Sequence, residues 1–326
     1  ISYIVDIYNG KAEAGNFLDC LMYLSFFPKV VSGPIVLYRD FKPQTATVSL
    51  SRVSDGIIRI MFGFAKKIVL ADTFGLCISK IGYEMDVPTA IGVGILYMLQ
   101  IYYDFSGYSD VAIGLSKVLG FDFDENFNFP YRSTSITEFW RRWHISLGRW
   151  FREYIYFPLG GSRCSKKRVI VNIAVVFLLT GIWHGAGWTY MLWGIINGIC
   201  NIIEKLLADK KIYEKTPKFI KWFFTMSVTF VCWQLFRAPD INTAKRWLLS
   251  MLGLIKYDNI IYAWQYYFDA QIITFIIIGV LGATAFGLPK IQALYKKAVS
   301  TKVGYFANQL VACSLFCLLY TSDAAD

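Results

Sequence analysis

Nothing limits the fold of this chain more than its repeated long apolar runs. Residues 56–80, 88–103, 169–187, 188–207, 219–237, 271–288 and 304–320 are each mostly apolar. A helix that crosses the hydrocarbon core of a bilayer takes roughly 20 such residues. The 326 residues are 56% apolar and 17% charged, against about 45–50% and about 25% in a soluble domain. A water-soluble core cannot absorb that excess, whereas lipid can. Two further stretches, 17–37 and 107–120, are interrupted by Pro28, by Gly33-Pro34 and by the polar run Ser106-Gly107-Tyr108-Ser109-Asp110. Such interruptions are tolerated at membrane depth only where protein or a water-filled cavity covers the backbone. Both are therefore expected to be broken or re-entrant helices inside an all-α, polytopic transmembrane helical bundle.

The net charge of +10 raises the possibility of nucleic acid as a partner, and the placement of the charges argues against it. Residues 131–168 hold Arg132, Arg141, Arg142, Arg149, Arg152, Arg163, Lys166, Lys167 and Arg168 against Glu138 and Glu153. Six lysines fall in 205–221 and four in 290–302, while 238–270 has only Lys245, Arg246 and Lys256. Cytoplasmic loops carry the excess of Lys and Arg. The alternation fits a multi-pass protein of the cell (plasma) membrane with 131–168, 205–221 and 290–302 inside and 240–268 outside. The lipid bilayer, not nucleic acid, is the partner that this charge pattern implies.

The seven cysteines are scattered, mostly within the apolar runs, and their odd number without C-x-x-C spacing supports neither a disulfide framework nor a zinc site. No Pro/Ser-rich linker and no repeat divides the chain. Residues 1–320 are expected to form a single membrane domain containing one insertion, 121–168. The chain begins at Ile1 with no signal-peptide pattern, which suggests a piece lacking its first helices. Residues 321–326 break abruptly from an apolar run and are expected to be a non-native tail.

Within the insertion, Ser135-Ile-Thr-Glu138 has the form of a capping box that starts a helix. Ile136, Trp140, Trp143, Leu147, Trp150 and Phe151 then recur at helical spacing. The spacing predicts one interfacial helix over 136–153, with tryptophans on one face and Arg141, Arg142, Arg149 and Arg152 largely off it. His144 falls beside Trp140, Leu147 and Phe151, on the apolar side. A second dense region, Gly181-Ile-Trp-His-Gly-Ala-Gly-Trp188, follows the apolar run from Val169. Its glycines allow either close helix approach or a break, and Trp183 and Trp188 suit an interface or a cavity wall.

His144 and His184 are the only histidines in the chain. An ionisable residue in or beside a membrane segment is a functional hypothesis by default. Position alone is satisfied equally by a histidine that only hydrogen-bonds a neighbouring helix. Two histidines forty residues apart, with no cysteine or carboxylate cluster beside them, make no convincing zinc site, so no metal is expected. None of G-x-S-x-G, H-E-x-x-H, G-x-G-x-x-G or a P-loop is present. A lone histidine can still act as general base toward a hydroxyl, because its pKa lies near neutrality, and a dry site would keep water from competing.

Five motifs follow one another in order: Pro28-Lys-Val-Val-Ser-Gly-Pro34, Tyr103-Asp-Phe-Ser-Gly-Tyr-Ser-Asp110, Glu138-Phe-Trp-Arg-Arg-Trp-His-Ile-Ser-Leu147, Tyr156-Phe-Pro-Leu-Gly-Gly161 and Gly181-Ile-Trp-His-Gly-Ala186. Together they resemble the membrane-bound O-acyltransferase family, and within it the bacterial alginate O-acetyltransferase branch. The resemblance implies a helical bundle around a tunnel, with an acyl donor entering from the cytoplasm and an acceptor modified outside. It implies that His184, in Trp-His-Gly, is the catalytic histidine and that His144 is the second characteristic polar residue, toward the cytoplasmic mouth.

On that resemblance the expected reaction is O-acetyl transfer to an extracytoplasmic polysaccharide, alginate-like or a cell-wall polymer. Acetyl-CoA is the ultimate donor, no cofactor is bound, and an extracytoplasmic acetyltransferase or esterase-like partner protein completes the relay. Trp140 and Trp143 would pack against His144, and Trp183 would line the path. Arg141, Arg142 and Arg149 would attract donor phosphates, although ordinary positive-inside charge accounts for them more readily. Asp104 and Asp110 would orient polar groups in the tunnel or cap the broken helix. D-alanyl transfer to teichoic acid is the alternative within the same chemistry. A transporter and a non-catalytic scaffold are the alternatives outside it, and no inverted repeat favours transport.

Overall fold

The computed structural model describes residues 1–30, 33–41, 48–255, 257, 260 and 262–323, and among them every regular element is helical. Each of the seven apolar runs forms a helix. Leu50–Phe64 continues through a π-helical stretch, Ala65–Asp72, into Thr73–Ser79. After it come Val87–Val118, Lys166–His184, Trp188–Leu207, Lys218–Arg237, Ala270–Ala283 and Lys302–Asp323. Among the described residues, three stretches are long and apolar enough to cross a membrane by length and composition: Lys166–His184, Lys218–Arg237 and Ala270–Gly287. Other long helices carry charge within them, at Lys66, Lys67, Asp104, Asp110 and Glu204.

The expected break at 107–120 is absent. Val87–Val118 is one helix of 32 residues, and it passes straight through Ser106–Asp110, with Ser109 and Asp110 finding partners sideways while Ser106 Oγ is buried without one among the described residues. Asp110 pairs with Arg59 at 2.8 Å and Lys66 at 2.6 Å. Ser109 Oγ accepts a hydrogen bond from Asn126 Nδ2 at 3.0 Å. With their needs met by other elements, these side chains do not compete for the helix's own backbone groups.

The stretch 17–37 is broken as expected, into Phe17–Ser25 and Phe27–Val30. Gly33 then packs on the Pro28 carbonyl, where an added Cβ would lie 2.0 Å from the oxygen. Val31 and Ser32 of the first motif lie outside the described residues. At the other end of the chain the last helix runs on through Thr321 to Asp323, and 324–326 lie outside the described residues.

The core gathers around Val87–Val118. Ala90, Val93, Leu96, Leu99, Tyr102 and Tyr103 from this helix join Phe74, Phe139, Trp143, Trp193, Trp233 and Trp247 in one buried cluster. Tertiary contacts order its two ends. Near one end, Arg52 meets Asp122 and Lys117 meets Asp55, each at 2.9 Å. Near the other, Cys77 Sγ donates to the Tyr267 carbonyl at 3.4 Å, and the Tyr83 and Trp247 rings stack at 6.3 Å.

Glycines let the helices touch backbone to backbone. A Cβ on Gly63 would lie 2.7 Å from Gly107 O, and one on Gly107 would lie 2.7 Å from Gly63 O. Seven residues along each helix, Gly56 and Gly114 repeat this reciprocal contact at 2.7 and 2.6 Å. Gly181 and Gly194 also seat Lys166–His184 closely against Trp188–Leu207, where an added Cβ would lie 2.7 Å from Tyr190 O and 2.6 Å from Phe177 O, respectively. Small residues at such crossings are how helices associate closely in membranes.

Gly107→Ala is accordingly expected to cost about 1–3 kcal/mol through forced separation of the helices, seen as a lower thermal unfolding midpoint in detergent. Gly82→Ala adds a Cβ with nothing within 4 Å and is expected to change stability by no more than about 0.5 kcal/mol. Equal midpoints for the two variants would show that the helices are not in backbone contact.

Candidate active site

The single helix expected over 136–153 is two. Ile136–Arg142 ends at Trp143, and Ile145–Phe151 begins after His144, which has the left-handed backbone φ 45°, ψ 55°. In a continuous helix the Ser146 N–H would bond to Arg142 O. Instead Arg142 O accepts from the Asn128 N–H at 2.9 Å, the Ile145 N–H donates to Asn126 O at 3.0 Å, and the Ser146 N–H donates to Asn126 Oδ1 at 3.2 Å. The segment 126–128 thus takes over the hydrogen bonds at the break. Histidine is among the few non-glycine residues that adopt this conformation with some frequency.

The first of the two helices is capped both from within the insertion and from outside it. Ser135 Oγ accepts from the Glu138 N–H at 2.9 Å, which is half of the expected capping box. The Glu138 carboxylate turns to Thr134 and Arg142 rather than back to Ser135. Burial pushes this carboxyl up, but its bonds to Thr134 and Arg142 outweigh that and hold it below the usual carboxylate range. The remaining first-turn donors, the N–H groups of Ile136 and Thr137, go to the carboxylate of Glu204 on Trp188–Leu207.

Both histidines line one cavity of about 540 Å³. Ile173, Val176, Phe177, Thr180 and His184 give it one wall from a single face of Lys166–His184, and Trp140, Trp143, His144, Leu147 and Phe151 face them. Ile173 and His184 are eleven residues apart, so the lining runs about 16 Å along that helix. Arg141, Arg152 and Lys205 also line the cavity, and among the described residues none of the three has a carboxylate partner.

The two histidines differ in what holds them. His144 is 6% exposed. Its Nδ1 lies 3.1 Å from Asn126 Oδ1, and its ring stands edge-on to Phe105 at 4.6 Å. His184 is half-buried between three rings, Trp183 at 4.9 Å, Phe236 at 5.0 Å and Trp193 at 5.1 Å. Among the described residues its nitrogens have no hydrogen-bond partner. Gly185 ends the helix, and a Cβ there would strike the Tyr190 ring at 2.8 Å. The motif thus supplies both the close approach (at Gly181) and the break (at Gly185).

Other sequence-predicted residues fall elsewhere. Trp140 lines the cavity and donates from Nε1 to Asn197 Oδ1 at 3.2 Å. Trp143 is buried among Phe127, Phe139 and Trp233 and also borders the cavity. Arg142 is held by Glu138 at 2.9 Å, and Arg149 by Asp40 at 2.9 Å and Asp124 at 3.1 Å; neither lines the cavity. Asp104 pairs with Lys67 at 2.9 Å and Asp110 with Arg59 and Lys66. Both aspartates belong to the seam between Leu50–Asp72 and Val87–Val118, not to the cavity, and neither caps a broken helix. Trp183 touches His184 with its ring but faces outward, 57% exposed.

Five polar residues escaped the sequence reading as site residues: Asn126, Asn172, Asn197, Asn201 and Glu204. Asn197, Asn201 and Glu204 form a polar stripe at helical spacing on an otherwise apolar helix, a signal that could have found them. Asn172, fully buried on Lys166–His184, donates from Nδ2 to the carbonyls of Leu159 and Gly161 at 3.2 and 3.1 Å. It ties down the Tyr156–Gly161 motif beside the cavity.

Comparison with known proteins gives a consistent answer. The model of MBOAT, the membrane-bound O-acyltransferase family, matches residues 8–210. The chain is 41% identical over 259 residues to a probable alginate O-acetylase of Azotobacter vinelandii, covering 78% of this chain and 52% of that protein. It is 36% identical to a peptidoglycan O-acetyltransferase of Helicobacter pylori, with 73% and 47% covered. It is 32% identical to a teichoic acid D-alanyltransferase of Bacillus subtilis, with 62% and 53% covered. The chain spans about half the length of these curated relatives. With the motifs in order and the family match reaching across both histidines, the chain belongs to the membrane-bound O-acyltransferase family.

Proposed function

We propose that this protein, multi-pass in the plasma membrane, moves an acetyl group from a cytoplasmic thioester donor to a hydroxyl of an extracytoplasmic polysaccharide or of a partner protein that serves it. One observation carries the reading. Both histidines of the chain line a single cavity, which also carries Arg141, Arg152 and Lys205, three cations without carboxylate partners among the described residues. Acetyl-CoA is the proposed ultimate donor, and its phosphates suit those cations better than the committed pairs of Arg142 and Arg149.

In this scheme His184 takes the proton from the attacking hydroxyl while the oxygen bonds to the thioester carbonyl carbon. The tetrahedral adduct collapses by breaking the C–S bond, and the histidine returns its proton to the departing sulfur. The three aromatic rings around His184 limit competing water. The cavity is proposed to be the inner part of a tunnel across the membrane. The higher identity to O-acetyl-transferring relatives favours acetyl over D-alanyl.

Orientation is testable in the full-length protein with its native cysteines replaced. Gln265→Cys is expected to react with a membrane-impermeant thiol reagent in intact cells, and Ser165→Cys only after permeabilisation. Both positions are exposed; Asn259, in the same outer loop as Gln265, lies outside the described residues. The reverse labelling pattern would overturn the orientation.

The chemistry is tested at His184. His184→Ala is expected to leave abundance unchanged while transfer falls by about 10²–10⁴-fold, the usual loss for a positioned base. His184→Gln keeps a polar side chain but cannot take up and release a proton, so it should fail almost as badly. The assay is release of ester-bound acetate from cell-surface polymer, read beside membrane-protein abundance. Full acetylation by the Gln variant would remove His184 from the mechanism, and release of D-alanine in place of acetate would move the reading to D-alanyl transfer.

A further inference from the structure

We propose that Asn126 is a positioning residue that holds His144 with its proton on Nδ1, so that Nε2 offers a lone pair to the cavity. Asn126 is 1% exposed and sits in a short segment that no catalytic motif includes. Its orientation is fixed by groups that can play only one role. The Ser146 backbone N–H must donate, so the Asn126 atom 3.2 Å away is the carbonyl oxygen. The amide nitrogen then faces Ser109 Oγ at 3.0 Å on Val87–Val118.

With Oδ1 fixed as an acceptor, His144 Nδ1 at 3.1 Å must carry a hydrogen, since two lone pairs would repel at that distance. Ser146 Oγ offers the one competing arrangement. It lies 3.4 Å from His144 Nδ1 but 2.8 Å from Asn126 Oδ1. Its single hydroxyl proton goes to the shorter contact. The backbone supports the same state, because the left-handed conformation of His144 is held by the bonds from 126–128 described above. Phe105 closes one side of the ring.

The consequence is a division between the two histidines. His184 has no partner in the described residues and can meet a substrate with either nitrogen. Neutral His144 can only accept a hydrogen bond or a proton at Nε2; it cannot donate to a developing oxyanion. Within the proposed transfer, which this role rests on, His144 would receive a donor-side N–H or S–H, and the carbonyl oxygen must be stabilised elsewhere. The tautomer itself does not depend on the reaction.

The test is nitrogen NMR of the full-length protein, labelled with ¹⁵N-histidine and embedded in lipid bilayers near neutral pH. His144 resonances are assigned by their loss in His144→Gln. The wild type should show a protonated Nδ1 and an unprotonated Nε2, opposite to the state that free histidine favours. Asn126→Asp keeps an acceptor at the same place and should keep the Nδ1–H form. Asn126→Leu should lose it and shift toward Nε2–H. Activity should follow, with Asn126→Leu at least roughly 10-fold below Asn126→Asp, as for other orienting partners of functional histidines. An Nε2–H or doubly protonated His144 in the wild type would overturn the proposal, even if Asn126→Leu failed to accumulate. So would an unchanged tautomer in a folded Asn126→Leu protein. Neither NMR outcome depends on whether acetyl is the transferred group.

Discussion

Backbone hydrogen bonds away from water must be made somewhere, and around His144 they are made between segments. Asn128 N, Asn126 O and Asn126 Oδ1 take the places of helical partners for residues 142–146. An unsatisfied buried group would cost about 1–3 kcal/mol, so a helix break without these substitutes would not persist. The break is held, and Trp140 and His144, on its two sides, both line one cavity. The same segment reaches Ser109 on the long helix. The cavity wall is therefore referenced to the core of the protein rather than to a surface loop.

This explains where sequence reasoning succeeds and where it fails. Apolar runs find the helices because burial and lipid both read hydrophobicity along one element. Breaks are another matter. The polar run 106–110 reads as an interruption, yet Arg59, Lys66 and Asn126, distant in the chain, take up its Asp110 and Ser109. The stripe 136–151 reads as one helix, yet Asn126 and Asn128 divide it. In both cases the local signal is sound and the tertiary partner decides. Asp104 and Asp110 were misplaced for the same reason, since nothing in their neighbourhood shows that lysines and an arginine on another helix await them. The two histidines, by contrast, stand out in the sequence through rarity, as the chain's only two, while their sharing of one cavity is visible only in the fold.

Charge around the cavity sorts into groups that are committed and groups that are free. Glu138, Asp40 and Asp124 neutralise Arg142 and Arg149, while Glu204 is spent on the first turn of Ile136–Arg142. Its neighbour in sequence, Lys205, lines the cavity with Arg141 and Arg152. One helical stripe of Trp188–Leu207 thus supplies both the cap that fixes the Trp140 helix and a cation on the wall that helix forms. Asn197 and Asn201 lie between, bonded to Trp140 Nε1 and the Thr137 hydroxyl. A shift of Trp188–Leu207 along its axis would move the cation, the cap and the Trp140 contact together.

That coupling bears on how a reaction could be kept from leaking. A thioester exposed to water is lost by hydrolysis unless the site is closed where the carbonyl sits. Under the proposed chemistry large rings would serve that need: Trp140 and Phe177 stand edge to face at 5.9 Å, Trp140 and Trp193 at 5.4 Å, and Trp193 in turn packs His184. Aromatic edges hold such geometry with few rotatable bonds. The close seat at Gly181 and Gly194 fixes the distance between the helices that carry His184 and Trp193. The spacing at the histidine is thereby set by backbone contact, the least compressible element available, and the aromatic wall between the two histidines inherits that rigidity.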